Sequence, residues 1–99
     1  MRVAFRPEAR AEVLAAKEWY DQQVRGLGRD FAHAVDSAIT SICRNPGAYH
    51  RIDVDCRRVL LPRFPYSLIY RVEPSNILVV AVFHHSREPG FWKKRLGVR

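Results

Sequence analysis

The chain is poor in the residues that make metal, disulfide and membrane proteins. It has 2 cysteines, Cys43 and Cys56. Neither belongs to a Cys-x-x-Cys pair or a Cys/His array with zinc spacing, so no structural metal is expected. Cys43 falls within an apolar helical pattern and reads as a small core residue. No run of about 18 apolar residues occurs, which excludes a membrane-spanning helix. The opening Met1-Arg2-Val3-Ala4-Phe5 lacks the apolar stretch of a secretory leader, so the expected location is the cytoplasm. Phosphate-binding glycine loops, a nucleophile elbow and paired metal-binding carboxylates are all missing, and no cofactor is expected. Repeats, linkers and low-complexity tracts are absent too, so residues 1–99 are expected to form a single domain.

Basic charge, by contrast, is abundant. Lys and Arg total 17 against 10 Asp and Glu, a net charge of +7. Residues 1–50 carry 7 basic and 6 acidic side chains, and residues 51–99 carry 10 and 4, so the excess sits in the second half. Of the 17 basic residues, 14 are Arg, whose planar fork suits phosphate and carboxylate. A basic half points to nucleic acid or to an acidic protein partner, against the plainer reading of a solvated basic surface.

Residues 2–5 alternate as a short edge strand. Pro7 suits the first turn of a helix, where its missing N–H is no loss, and Glu8 sits at the positive end of the helix dipole. Ala9, Val13, Ala16, Tyr20 and Val24 recur at helical spacing until Gly26 and Gly28 interrupt. Leu27, Phe31, Ala34, Val35, Ala38 and Ile42 form a second apolar stripe, ended by Asn45-Pro46-Gly47. The short break between the two predicts an antiparallel helix hairpin. Residues 57–61, 66–72 and 77–84 read as strands, separated by prolines and a Glu73-Pro74-Ser75-Asn76 turn. The last strand is apolar on both faces. It is either central and covered on both sides, or has a face awaiting a partner. Residues 91–96 are read as a terminal helical turn. The expected architecture is α+β: an N-terminal strand, then an antiparallel two-helix hairpin packed on a mostly antiparallel sheet of 3–4 strands, then that turn.

Three clusters carry possible chemistry. The first is His84-His85-Ser86-Arg87-Glu88-Pro89-Gly90-Phe91-Trp92, at the end of the two-faced strand, where loops commonly bear sites. An imidazole moves protons near neutral pH, an arginine holds phosphate and an indole stacks on a base. Adjacent histidines on a strand point to opposite faces, so His84 and His85 form no simple dyad. Each also has a structural reading, a hydrogen-bonded surface histidine or, for Trp92, a core plug. The second cluster is Arg57-Arg58, flanked by Arg51 and Arg63. It is either a site face shared with the histidine end or a charged edge that blocks aggregation. The third, Phe64 to Arg71, alternates Tyr66, Leu68, Tyr70 and Val72 against Ser67, Ile69 and Arg71, mainly as packing residues.

Phe64-Pro65-Tyr66, Tyr70-Arg71-Val72, Ala81-Val82-Phe83-His84 and Arg87-Glu88-Pro89-Gly90-Phe91-Trp92, in that order, resemble the RelE/ParE toxin superfamily. The nearest likeness is to members called plasmid-stabilisation proteins. The opening Val3-Ala4-Phe5-Arg6-Pro7-Glu8-Ala9 and the hairpin fit as well. The resemblance implies the toxin of a type II toxin–antitoxin pair, neutralised by a cognate acidic antitoxin. ParE-like members inhibit DNA gyrase without a hydrolytic centre, and RelE-like members cut messenger RNA on the ribosome. For the nuclease reading, the resemblance points to Arg58, Arg87 and Trp92 in three roles and to His84 or His85 as the proton carrier. Ser67 and Leu60 stand where nucleases carry further basic residues, which favours the ParE-like reading. Arg57, Arg63, Arg71, Lys93, Lys94 and Arg95 are then the expected target-binding or nucleic-acid-binding residues. A non-toxic basic nucleic-acid-binding module is the third reading.

Overall fold

A computed structural model describes residues 2–97; Met1, Val98 and Arg99 of the expected 1–99 domain lie outside the described residues. The order is β1 (Arg2–Phe5), α1 (Pro7–Gln23), α2 (Leu27–Arg44), β2 (His50–Arg51), β3 (Cys56–Leu60), β4 (Tyr66–Val72), β5 (Asn76–His84) and a 3-10 turn at Lys93–Leu96. The sheet runs β1-β5-β4-β3-β2. Its β5-β4-β3-β2 part is antiparallel, and β1 closes the other edge parallel to β5. The α+β expectation therefore holds, with a mixed five-stranded sheet in place of three or four strands. The additional strand is β2, two residues long and exposed, too short to carry an alternation of its own.

Each helix starts for a local reason. Pro7 occupies the first turn of α1, where φ is preset and no N–H is wanted. Gly26 turns the chain at φ 89°, a left-handed conformation that glycine takes without steric cost. Asp21, in the last turns of α1, then accepts hydrogen bonds from the Gly26 and Gly28 N–H groups at 2.9 and 3.3 Å. It thereby caps α2 from the neighbouring helix. Gly28 is the close-approach point of the hairpin, because a Cβ there would lie 2.4 Å from the Lys17 carbonyl oxygen.

The helices cover one face of the sheet. Phe31, Val35 and Ile42 of α2 pack with Val59, Leu68, Tyr70, Ile77, Val79 and Val82, as the matched stripes predict. Aromatic rings seal one end: Phe31 lies 4.9 Å from Tyr66 and 5.2 Å from Phe64, and Tyr20 lies 4.9 Å from Phe64. At the other end the buried Tyr70 hydroxyl donates to the Pro46 carbonyl. The opposite face is covered chiefly by the C-terminal segment, with Ile52 between β2 and β3 at its border. Trp92 packs there on Cys56, Ile69, Val80 and Ala81, with Phe83, Phe91 and Leu96 beside them. Thus β5 is covered on both faces, the first of the two options its apolar run left open.

Between β4 and β5 the register slips by one residue. Tyr70 pairs with Val79 and Ile69 with Ala81, leaving Val80 as an extra residue on β5. Such a bulge reverses the parity of every residue beyond it. Val80 and Ala81 consequently both belong to the C-terminal face, while Val82 returns to the helix face.

Candidate functional site

The bulge decides which histidine reaches which face. His84 follows Val82 onto the helix side, where its ring stands edge-on to Tyr66 at 5.4 Å. Its Nδ1 accepts the Ser86 N–H at 3.0 Å, which leaves Nε2 as the protonated nitrogen of the neutral ring. His84 therefore turns the chain out of β5. His85 follows Phe83 to the other face and borders a concavity of about 370 Å³.

That concavity lies between the sheet and the C-terminal segment. Arg58 of β3, Ser67 of β4, His85 and Arg87 beyond β5, and Trp92 and Lys93 of the terminal segment all line it. Ile69 and Phe83 contribute apolar floor, and no Asp or Glu is among the lining residues. The Arg87 guanidinium lies 3.8 Å from the centre of the Phe91 ring, and Phe91 stands edge-on to Phe83 at 5.0 Å. This cation–π stack holds Arg87 without neutralising it. Ser67 is fully buried and its hydroxyl has no hydrogen-bond partner. Trp92 is 3% exposed, so it is a core plug and a wall of the concavity at once.

A second device holds the segment in place. Glu12 of α1 accepts from the Val82 N–H at 3.0 Å and from both terminal nitrogens of Arg95 at 2.9 Å. Arg95 also donates to the Val80 carbonyl at 3.1 Å. β1 pairs with β5 only as far as Val79; beyond it, Glu12 and Arg95 satisfy backbone groups that a neighbouring strand would otherwise take. The hydrogen bonds that Arg95 donates to Glu12 raise the pKa of its guanidinium above the ordinary value. Arg95, expected as a surface binder, is thus engaged internally.

The remaining expected residues are dispersed. Arg57 lies on the helix side of β3 and donates to the Tyr49 carbonyl at 2.8 Å. Arg71 pairs with Glu73 at 2.6 Å, and Arg63, largely exposed, pairs with Asp30 at 3.6 Å. Lys94 is exposed on the terminal turn. Of the eleven expected site residues, the fold gathers Arg58, His85, Arg87, Trp92 and Lys93 at one place. Sequence reasoning missed Glu12, although its place beside Ala9, Val13 and Ala16 on the inward stripe of α1 was a signal. It also took Ser67 mainly as packing, although a hydroxyl at a wholly buried strand position needs a partner.

These features define a small basic α+β domain with a helix hairpin on one sheet face and a cationic concavity on the other. Residues 3–89 match the family described as the ParE toxin of the type II toxin–antitoxin system, parDE, and the chain belongs to that family. Among curated proteins none matches. Among solved structures it is similar to a chain of the chromosomal ParDE toxin–antitoxin system from P. aeruginosa. The TM-score is 0.64 at 20% identity, covering 85% of this chain and 95% of that one; at that identity the likeness is one of fold.

Proposed function

We propose that this ParE-family toxin arrests growth by binding DNA gyrase, without cutting RNA, and that an acidic antitoxin neutralises it. The observation that carries the reading is the separation of the two histidines. RNA cleavage requires a base for the 2′-hydroxyl, an acid for the leaving oxygen and positive charge on the phosphate. The concavity holds one imidazole, His85, because the bulge sends His84 to the helix face. Ser67 also occupies the β4 position where the nuclease branch carries an arginine. Lys93 and Lys94, exposed on the terminal turn, offer charge to a protein target.

The antitoxin reading has its own support. Helix α1 exposes Leu14 (59%) and Trp19 (55%), and Val24 (61%) is exposed just past its end, large apolar side chains that can anchor a partner. Leu14 borders a groove lined by Lys17, Arg25 and Arg29 together with Glu18 and Asp21. An amphipathic acidic segment that orders on binding matches both features. The deciding experiment pairs a gyrase supercoiling assay with ribosome-dependent cleavage of a messenger RNA. It uses the wild type, His84→Ala, His85→Ala and a Lys93→Glu/Lys94→Glu variant, each with and without antitoxin. Inhibited supercoiling with intact RNA, weakened by the lysine reversals, is expected. Site-specific RNA cuts that vanish with one histidine overturn the gyrase reading.

A further inference from the structure

We propose that Glu12 and Arg95 form a positioning pair for the turn that meets the toxin's target. Glu12 anchors Arg95, and Arg95 fixes the backbone that presents Lys93 and Lys94 to an acidic protein surface. This rests on the reading of those two lysines as target-binding residues, and it does not require the target to be gyrase.

The first argument is the spacing of the anchors. Lys93–Leu96 is a single 3-10 turn with Trp92 as its N-cap. Side chains three apart eclipse in such a turn, so Trp92 and Arg95 share a side and the two lysines fall elsewhere. Burial follows that pattern. Trp92 is 3% exposed and the Arg95 side chain 12%, whereas Lys93 and Lys94 are exposed. The lysine pair is thus flanked at each end by an anchored residue.

The second argument is how the turn is attached. Among the described residues, the backbone hydrogen bonds of residues 90–97 stay within the segment: Lys93 donates to the Gly90 carbonyl, Arg95 to that of Trp92 and Gly97 to that of Lys94. The segment's hydrogen bonds to the rest of the domain all come from one side chain. Arg95 donates from Nη1 to Glu12 Oε1 at 2.9 Å and to the Val80 carbonyl at 3.1 Å, and from Nη2 to Glu12 Oε2 at 2.9 Å. A fork held at both nitrogens fixes direction as well as distance, which non-directional apolar contact does not. Glu12 is itself held by the Val82 N–H at 3.0 Å, so the turn is referenced to α1 and β5 together. A half-buried ion pair is a poor substitute for apolar packing as a source of stability; what it adds here is orientation. Lysines on an already ordered backbone lose less freedom when they meet a partner.

The test uses the full chain and measures growth arrest per folded toxin molecule in cells, which reads any target. Amide exchange at Lys93 and Lys94 and a gyrase supercoiling assay are run beside it. Arg95→Ala should raise the toxin level needed for arrest about tenfold, the order expected when a freed turn must be ordered on binding. It should also speed exchange at both lysines. Arg95→Lys, which keeps the charge and loses the fork, should stay nearer to Arg95→Ala than to the wild type. Val35→Ala lowers stability from the helix face and should change neither readout. Arg95→Ala added to Lys93→Glu/Lys94→Glu should cost nothing further, because the pair acts through the lysines. The proposal is overturned by a loss on Val35→Ala equal to that on Arg95→Ala, which would mean stability alone, or by full rescue with Arg95→Lys, which would mean charge alone. Additive losses in the combined variant, unchanged exchange at the lysines, or arrest that is absent or indifferent to the lysine reversals overturn it too. Growth arrest with supercoiling intact sinks the gyrase reading instead and leaves the positioning pair to be judged by arrest and exchange.

Discussion

The two faces of the sheet are built on different principles. On the helix face fifteen buried residues, drawn from both helices and from three strands and their flanking loops, form one continuous apolar cluster. On the other face, among the described residues, the buried apolar cluster is only Cys56, Ile69, Val80, Ala81 and Trp92, and most of its cover is a short segment tethered through Arg95 to Glu12. Burying apolar area is non-directional and cumulative, so the helix face tolerates no large loss but needs no special contact. The other face has too little apolar area to organise itself. It depends on a few directional bonds, and the incomplete cover leaves the cationic concavity. Apolar burial is concentrated on one side and the cationic concavity lies on the other.

The comparison is broken most severely from the helix side. Phe31→Ala or Leu68→Ala removes a fully buried side chain and should cost about 3–5 kcal/mol, read as a lower denaturant midpoint. A loss below about 1 kcal/mol would place the main core elsewhere.

Next in size is the tether. Glu12 and Arg95 are 17% and 12% exposed at their side chains, and deleting one leaves the other half-buried without its partner. Arg95→Ala should cost about 2–3 kcal/mol. It should also raise amide exchange at Val82 and in the terminal turn while sparing α2. Glu12→Ala combined with Arg95→Ala should cost less than the sum of the single changes. Additive losses would mean that the pair does not act as a unit.

A third contrast is in pH. Burial raises the phenol of Tyr66, and of Tyr70, both against the helix-face core. Folding therefore favours the neutral phenols. Their contribution is complete below the unfolded value near 10 and is lost as pH rises through the higher folded values. The melting temperature should fall above about pH 10. Tyr70→Phe should flatten that fall and cost about 1 kcal/mol at neutral pH through the lost bond to the Pro46 carbonyl.

Much of the helix face was legible in the sequence, because helical stripes and strand alternations are periodic and their cumulative burial is forgiving. Pro7, Gly26 and Pro46 punctuated it, and α1 and α2 ended within a residue or two of their expected bounds. The other face was legible only in part: Arg58, His85, Arg87, Trp92 and Lys93 were expected as site residues, but what holds them together was not. The Glu12–Arg95 tether joins residues 83 positions apart, and nothing local announces it. The Val80 bulge has no signal within an unbroken apolar run, yet it alone sets the parity of everything beyond it. The sequence showed that His84 and His85 face opposite ways; the bulge determines which one enters the concavity.

The smallest expected effect follows from that parity. On a regular β5, His84 would join the concavity and His85 the aromatic end of the core. With the bulge, His84 contacts Tyr66 and the Ser86 N–H, and His85 borders the cationic site. His84→Ala should lower stability by about 0.5–1 kcal/mol through those contacts. His85→Ala, at an exposed position, should change it by less than about 0.5 kcal/mol. For a gyrase-directed toxin neither change should alter growth arrest by more than about twofold, because no proton transfer is being lost. For a ribonuclease, His85→Ala alone should reduce activity about 10²–10⁴-fold, with the fold intact. A growth-arrest titration of both variants, run beside their thermal melts, separates the two cases. A stable His85→Ala protein that has lost its toxicity would move the proton chemistry of the toxin into the concavity and end the reading without RNA cleavage.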